Sequence, residues 1–140
     1  MHIAIVDDLE SDRCSLGDLL ERYFESVGMN LAMDVYESGE AFLQRTTDSE
    51  YDLVFLDIFM KELTGMEVAR QMAADGSRCP VIFLTTSMDY ALEGYEVGAF
   101  RYLLKPVDQA KLEQTLSVFM DRFQKGERKL TLMVDRTRVF

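Results

Sequence analysis

The chain has no tryptophan, one histidine, two cysteines and two prolines in 140 residues. A single histidine excludes histidine-rich metal centres and Ser-His-Asp triads. His2 also opens the first apolar run, which marks it as a strand-start residue rather than a phosphodonor. Cys14 and Cys79 have neither metal-ligand spacing nor the numbers of a disulfide framework, so both are expected as small buried or half-buried thiols in a reducing compartment. Basic residues are outnumbered, 15 Lys and Arg against 25 Asp and Glu, for a formal net charge of −10. A surface of that sign repels a phosphate backbone, so this segment is not expected to bind nucleic acid itself. No apolar run approaches the roughly 20 residues of a membrane-spanning helix, and no signal peptide opens the chain. The expectation is a cytoplasmic location without membrane contact.

What is present is ordinary globular material, 48% hydrophobic and 29% charged, in a length that suits one core. Apolar runs alternate with helical patterns. His2–Val6, Leu31–Tyr36, Asp52–Leu56, Pro80–Leu84 and Phe100–Leu104 read as strands. Between the first two, Leu16, Leu19, Leu20, Tyr23, Phe24 and Val27 recur at helical spacing, and Gly28 suits a left-handed cap. Ser38 and Asp108 are placed to cap helices, and Thr64-Gly65-Met66-Glu67 has capping-box spacing. A fourth helix is expected from about Asp89 to Val97, and a fifth carries Leu112, Leu116, Phe119 and Phe123 on one stripe. Strands apolar on both faces alternating with helices argue for a parallel sheet covered on both sides. The fold class expected is therefore α/β, a flavodoxin-like (βα)5 three-layer sandwich with strand order 2-1-3-4-5.

Three strands end in charged chemistry. His2–Val6 runs into Asp7-Asp8, the third strand into Asp57, and the fifth into Lys105-Pro106. If the strands are parallel, these groups share one edge, where open α/β folds build their sites. Any one of them alone is better explained as a cap or turn residue. Together, three acids and a lysine can hold a divalent cation, Mg²⁺, beside a carboxylate nucleophile, because clustered carboxylates need compensating positive charge to stay ionised. In this scheme Asp57 attacks the phosphorus of a donor, while Lys105, Mg²⁺ and the Thr85 hydroxyl meet the equatorial oxygens.

The set Asp7-Asp8, Asp57, Thr85, Tyr102 and Lys105-Pro106 strongly resembles the receiver domain of bacterial two-component response regulators, over residues 1 to about 124. The resemblance implies phosphorylation of Asp57 by the phosphohistidine of a sensor histidine kinase. It implies Mg²⁺ held by Asp8, Asp57 and the main-chain carbonyl of Phe59, with Asp7 acting through water. Lys105 would pair with the phosphoryl group across a candidate cis Lys105-Pro106 peptide. Thr85 and Tyr102 would form the switch. A homodimer through the face of the fourth helix, fifth strand and fifth helix is a further implied partner arrangement. The segment Tyr90–Pro106 looks like receivers coupled to a LytTR-type DNA-binding domain. Residues 125–140 are then expected to be a linker and the start of an output domain, with Leu130–Val134 as its opening strand.

The chain departs from the family pattern after Asp57. The family commonly reads Met-Pro-x-Met-Asp-Gly, whereas this chain reads Met60-Lys61-Glu62-Leu63-Thr64-Gly65. Thr64 can still cap the next helix. Phe59 sits beside the path of an attacking water, where its bulk is expected to slow loss of the phosphoryl group. Thr86, where the family has a small residue, is expected to narrow the pocket. Tyr90 and Tyr95 are explained by helix packing, with an exposed share available for contacts.

The reading is a signalling switch that is not an enzyme beyond catalysing its own phosphorylation and dephosphorylation. Two alternatives stay open. One is a Mg²⁺-dependent phosphatase acting through an aspartyl phosphate, although Phe59 stands where such enzymes usually carry a second Asp. The other is a receiver-like interaction module that works without phosphorylation.

Overall fold

The computed structural model describes residues 1–45 and 51–139, with side chains described for 1–44 and 51–125. In chain order the elements are β1 (His2–Val6), α1 (Glu10–Ser26), β2 (Ala32–Tyr36), α2 (Gly39–Arg45), β3 (Leu53–Asp57), α3 (Gly65–Ala74), β4 (Val81–Thr85), α4 (Ala91–Glu96), β5 (Arg101–Leu104) and α5 (Gln109–Val139). The strands form one parallel sheet in the order β2-β1-β3-β4-β5. The expected fold class is the one observed.

The chain divides into two units, Met1–Val107 and the segment from Asp108 onward. In the first, the residues of β3 and β4 are buried throughout, as continuous apolar runs between two helical layers require. One face of the sheet contributes Ala4, Val6, Val54, Leu56 and Phe83 to a cluster with Phe42 of α2 and Met66, Val68 and Met72 of α3. The other carries Ile3, Ile5, Phe55 and Leu84, with Leu16, Leu20 and Phe24 of α1 also buried. Cys14 lies off that helical stripe and is exposed, contrary to expectation, while Cys79 is half-buried. Val27 also falls outside the stripe, since it caps the last turn and stands 51% exposed.

The local signals for helix ends are realised. Gly28 adopts φ +68°, and the N–H groups of Met29 and Gly28 return to the carbonyls of Phe24 and Glu25, the pairing that closes a helix through a left-handed residue. Ser38 Oγ accepts from the Ala41 N–H at 3.0 Å. Thr64 and Glu67 form a reciprocal capping box at the start of α3. Gly65 is required there for a second reason. A Cβ at that position would overlap the Asp57 carbonyl oxygen, so only glycine lets α3 start hard against the end of β3.

The second unit is the helix α5. Asp108 Oδ1 accepts from the Lys111 N–H at 2.7 Å, and Phe119 stacks on Phe123 at 5.9 Å. The helix does not stop near Gln124. It continues to Val139, so Leu130–Val134 is helical rather than the strand expected there. A strand needs a neighbour for its N–H and C=O groups, whereas a helix satisfies its own. Lys129, Leu130, Leu132 and Met133 are good helix formers, so helix is the local preference when no strand partner is at hand. Phe140 lies outside the described residues. Among the described residues no helix is long and apolar enough to cross a membrane.

Candidate functional site

Parallel pairing brings the ends of β1, β3, β4 and β5 to one edge. Val6 lies in register with Leu56, Asp57 with Leu84, and Thr85 with Leu104. Asp7 and Asp8 therefore leave β1 beside Asp57, and Lys105 leaves β5 next to the end of β4. One carboxylate oxygen from each of Asp7, Asp8 and Asp57 lies within 4.8 Å of the others. Asp7 and Asp57 are buried and Asp8 is half-buried.

Lys105 closes the group from the other side. Its Nζ donates to Asp7 Oδ2 at 2.8 Å and to Asp12 Oδ2 at 2.8 Å, and stands 3.5 Å from Asp57 Oδ1. The Lys105-Pro106 peptide is cis, as expected. The Lys105 N–H also reaches back to the Thr85 carbonyl at 2.7 Å, which fixes the base of the lysine against β4. Asp7 is itself tied down, with Oδ1 accepting from the Leu9 N–H at 3.0 Å and its carbonyl from Arg13 Nη1 at 2.8 Å.

The charge balance of this hollow is unequal. Burial and then the neighbouring Asp7 carboxylate push the Asp57 pKa up to about 7, while Lys105 and the Phe59 N–H pull it down. Burial would lower the Lys105 pKa, but its hydrogen bonds to Asp12 and Asp7 outweigh that and hold the ammonium above its usual range. One ammonium thus faces Asp7, Asp12 and Asp57, and Asp8 adds a further carboxylate to the cluster. A hard divalent cation fits this all-oxygen, charge-deficient set, and Asp7, Asp8 and Asp57 are the residues whose oxygens converge for it.

The expected switch residues stand beside this hollow. Thr85 is fully buried and its Oγ1 accepts from the Ser87 N–H at 3.3 Å. Tyr102 points inward and donates to the Ser87 carbonyl at 2.6 Å. Burial raises the Tyr102 pKa, the hydrogen bond from Thr85 opposing it. Phe59 donates its N–H to Asp57 Oδ1 at 3.3 Å and turns its ring out, 44% exposed and edge-on to Tyr90 at 5.4 Å. Thr86 is exposed, next to the buried Thr85. Tyr95 is 50% exposed.

Sequence reasoning missed two residues. Asp12 reads as an ordinary acid in the first turn of a helix, where the macrodipole favours it. The available signal was its place one turn beyond Asp8, on the side of α1 that opens towards the strand ends. Ser87 gave little signal, because its contacts to Thr85 and Tyr102 are made through its backbone.

The sequence profile described as the Response regulator receiver domain matches residues 3–117. The sensory transduction protein LytT of Bacillus subtilis is 31% identical over 119 residues, which cover 85% of this chain and 48% of that protein. The transcriptional regulatory protein RprY of Bacteroides fragilis is 29% identical over 131 residues, covering 92% of this chain and 53% of that protein. The chain thus spans about half the length of the curated relatives it matches. Among solved structures, the response regulator TrrA of Thermotoga maritima, in complex with Mg²⁺-BeF, aligns with a TM-score of 0.71 at 28% identity. That alignment covers 84% of this chain and 97% of the TrrA chain. With the acidic trio, the lysine and the parallel sheet in place, the profile match settles the family: this chain belongs to the response regulator receiver domains.

Proposed function

We propose that the chain is a phosphorylation-dependent switch that takes a phosphoryl group onto Asp57 from the phosphohistidine of a sensor histidine kinase. The observation that carries this reading is the meeting of Asp7, Asp8, Asp57 and Lys105 around one hollow at the carboxyl edge of the sheet. An Asp57 oxygen attacks phosphorus, the P–N bond to the donor imidazole breaks, and its electron pair stays on the departing nitrogen. Lys105 neutralises charge on the transferred group, and the Thr85 hydroxyl, one residue past the register partner of Asp57, hydrogen-bonds a phosphoryl oxygen. Hydrolysis returns the carboxylate and inorganic phosphate, so the chain catalyses only its own modification and is not an enzyme acting on a separate substrate.

Mg²⁺ is the implied cofactor, held by Asp8, Asp57 and the main-chain carbonyl of Phe59, with Asp7 acting through water. It would supply Lewis-acid neutralisation of the phosphoryl oxygens. The TrrA relative, solved with Mg²⁺-BeF, supports Mg²⁺ as the cofactor. The excess of carboxylates over cations in this chain supports it independently.

Phosphorylation adds about two negative charges next to Lys105 and Thr85. Thr85 and Tyr102 share Ser87, so tightening at the first is passed to the loop before α4. The exposed side chains of Met88, Tyr90, Leu92 and Tyr95 near and on α4 form the surface such a change would present, to an output domain or to a second copy in a homodimer. The relative named the transcriptional regulatory protein RprY supports a transcriptional output. DNA would be bound by a separate domain rather than by this acidic segment. Residues 1–124 would then be the receiver and 125–140 its connector to that output, in the cytoplasm.

Incubation with Mg²⁺ and acetyl phosphate tests the reading. Gain of one phosphoryl group by mass, absent in Asp57→Ala, is expected. Continuous turnover of a phosphoester would mean a phosphatase, and no reaction at all would leave an interaction module.

A further inference from the structure

We propose that Asp12 is a positioning residue for phosphotransfer: with Asp7 it grips the Lys105 ammonium and leaves its remaining N–H for the phosphoryl group on Asp57. The inference rests on the phosphotransfer reading above. An ammonium has three donors. Two are spent at 2.8 Å on Asp7 and Asp12, while Asp57 Oδ1 at 3.5 Å lies beyond the length of a charge-assisted hydrogen bond. The lysine is thus held near the acceptor without being bonded to it. A phosphoryl oxygen built out from Asp57 can take the uncommitted donor without displacing either anchor.

Asp7 alone is a poor anchor. Its Oδ1 already serves the Leu9 N–H, and it belongs to the trio of carboxylates that a divalent cation would draw upon. Asp12 stands outside that trio, on the first turn of α1, and its only described role at the site is the lysine. Beside the lysine is a cavity of about 170 Å³, bordered by Asp7, Asp12, Ser15, Leu16, Leu84 and Lys105. A four-carbon side chain beside that space has somewhere to go when one anchor is removed. A first-turn acid serving only the helix dipole could as well face solvent; this one is turned towards Lys105 from across 93 residues of sequence.

The test is the initial rate of phosphorylation by acetyl phosphate with Mg²⁺, measured for the whole chain as wild type, Asp12→Ala, Lys105→Ala and the double variant. Asp12→Ala is expected to slow the reaction by about fivefold or more, and to change the rate less than about twofold once Lys105 is already alanine. Asp12→Asn, which keeps an acceptor oxygen and guards against misfolding of the alanine variant, should fall between the two. An equal loss in both backgrounds would show that Asp12 merely supports α1, and a rate at or above wild type would make it no anchor; either overturns the proposal. The Lys105 ammonium should also give a slowly exchanging ¹⁵N signal in wild type that is lost in Asp12→Ala. Persistence of that signal overturns the proposal as well. A wild-type chain that takes up no phosphoryl group defeats the phosphotransfer reading, and the role of Asp12 within it; the ammonium signal then shows whether the grip itself exists.

Discussion

The Tyr102 hydroxyl donates to the Ser87 carbonyl at 2.6 Å. The amide of the same Ser87 donates to Thr85 Oγ1 at 3.3 Å, so one residue of the loop before α4 is held by a side chain from β5 and another from β4. Ser87 Oγ in turn accepts from the Asp89 N–H at 3.1 Å, which carries the connection towards α4. Gly94 completes the arrangement. A Cβ there would come within 3.2 Å of Phe83 and 3.3 Å of Tyr102, so the missing side chain is what lets α4 lie close over that tyrosine. The position of Tyr102 and that of the α4 loop are therefore not independent.

Tyr102→Phe should separate phosphorylation from its consequence. The ring remains, the hydroxyl is lost, and the Ser87 carbonyl is left without that donor at a cost of about 0.5–1.5 kcal/mol. Phosphorylation of Asp57 should continue at close to the wild-type rate. The phosphorylation-dependent change in amide hydrogen exchange over residues 87–97 should shrink. Lys105→Ala should give a related result by a different route, permitting phosphorylation while weakening the change on α4 and β5. Full rearrangement of that face in either phosphorylated variant would mean that the signal travels elsewhere.

The raised pKa of Asp57 makes a claim about pH. With no cation bound, the folded chain holds a proton on Asp57 up to about pH 7, whereas the unfolded chain releases it near pH 4. That preference stabilises the fold at low pH and is lost as pH rises from about 4 through about 7. Above that range a buried carboxylate must be carried charged. Asp57→Asn should therefore stabilise the protein in EDTA at pH 8, by on the order of 1–3 kcal/mol, with the gain shrinking towards pH 4. Urea denaturation at the two pH values measures this. An equal or larger gain at pH 4 would place the strain somewhere other than the Asp57 charge.

Much of this site can be read from the chain because its parts sit at strand ends. The runs into Asp7-Asp8, Asp57 and Lys105 are each a change from apolar to charged residues at a point where a strand must stop, and parallel pairing then converts separation in sequence into adjacency. Helix caps at Ser38, Thr64 and Asp108 are legible for a similar reason, being local hydrogen bonds over three residues. The Asp12–Lys105 contact spans 93 residues and depends on the rotamers of two side chains, which no periodicity encodes. Towards Thr85 and Tyr102 Ser87 contributes an amide and a carbonyl, and any residue has those. The helical path of Leu130–Val134 shows the opposite limit. An apolar run of that length can suit a strand, but a strand exists only where another strand meets it.

Mg²⁺ should stabilise the chain, and should do so in a pH-dependent way. Binding requires ionised carboxylates, and Asp57 gives up its proton only as pH rises through about 7. Apparent Mg²⁺ affinity should increase across that interval with release of up to one proton. Isothermal titration in buffers of different ionisation enthalpy would count the proton. The rise in Tm on adding Mg²⁺ should be larger at pH 8 than at pH 5, and Asp8→Asn should abolish most of it. An Asp8→Asn variant that keeps the full shift would remove Asp8 from the metal set.

Phe59 concerns how long the switch stays on. Its ring lies two residues past the acceptor, meets Tyr90 edge-on at 5.4 Å and leaves 44% of the residue exposed, so Phe59 offers an apolar ring close to Asp57. Hydrolysis needs a water aligned with the P–O bond, and the Phe59 ring, which has no hydrogen-bonding group, neither orients that water nor gives it room. Phe59→Asn supplies a polar side chain in place of the ring. The aspartyl phosphate should then be lost about tenfold faster, a barrier change of about 1.4 kcal/mol. Phe59→Leu, apolar and smaller, separates the two causes. A lifetime close to wild type would assign the effect to lack of polarity, and one close to Phe59→Asn would assign it to bulk. Decay of the phosphorylated chain after removal of acetyl phosphate measures all three. An Asn variant whose phosphate lasts as long as wild type would show that water reaches phosphorus by a path this ring does not border.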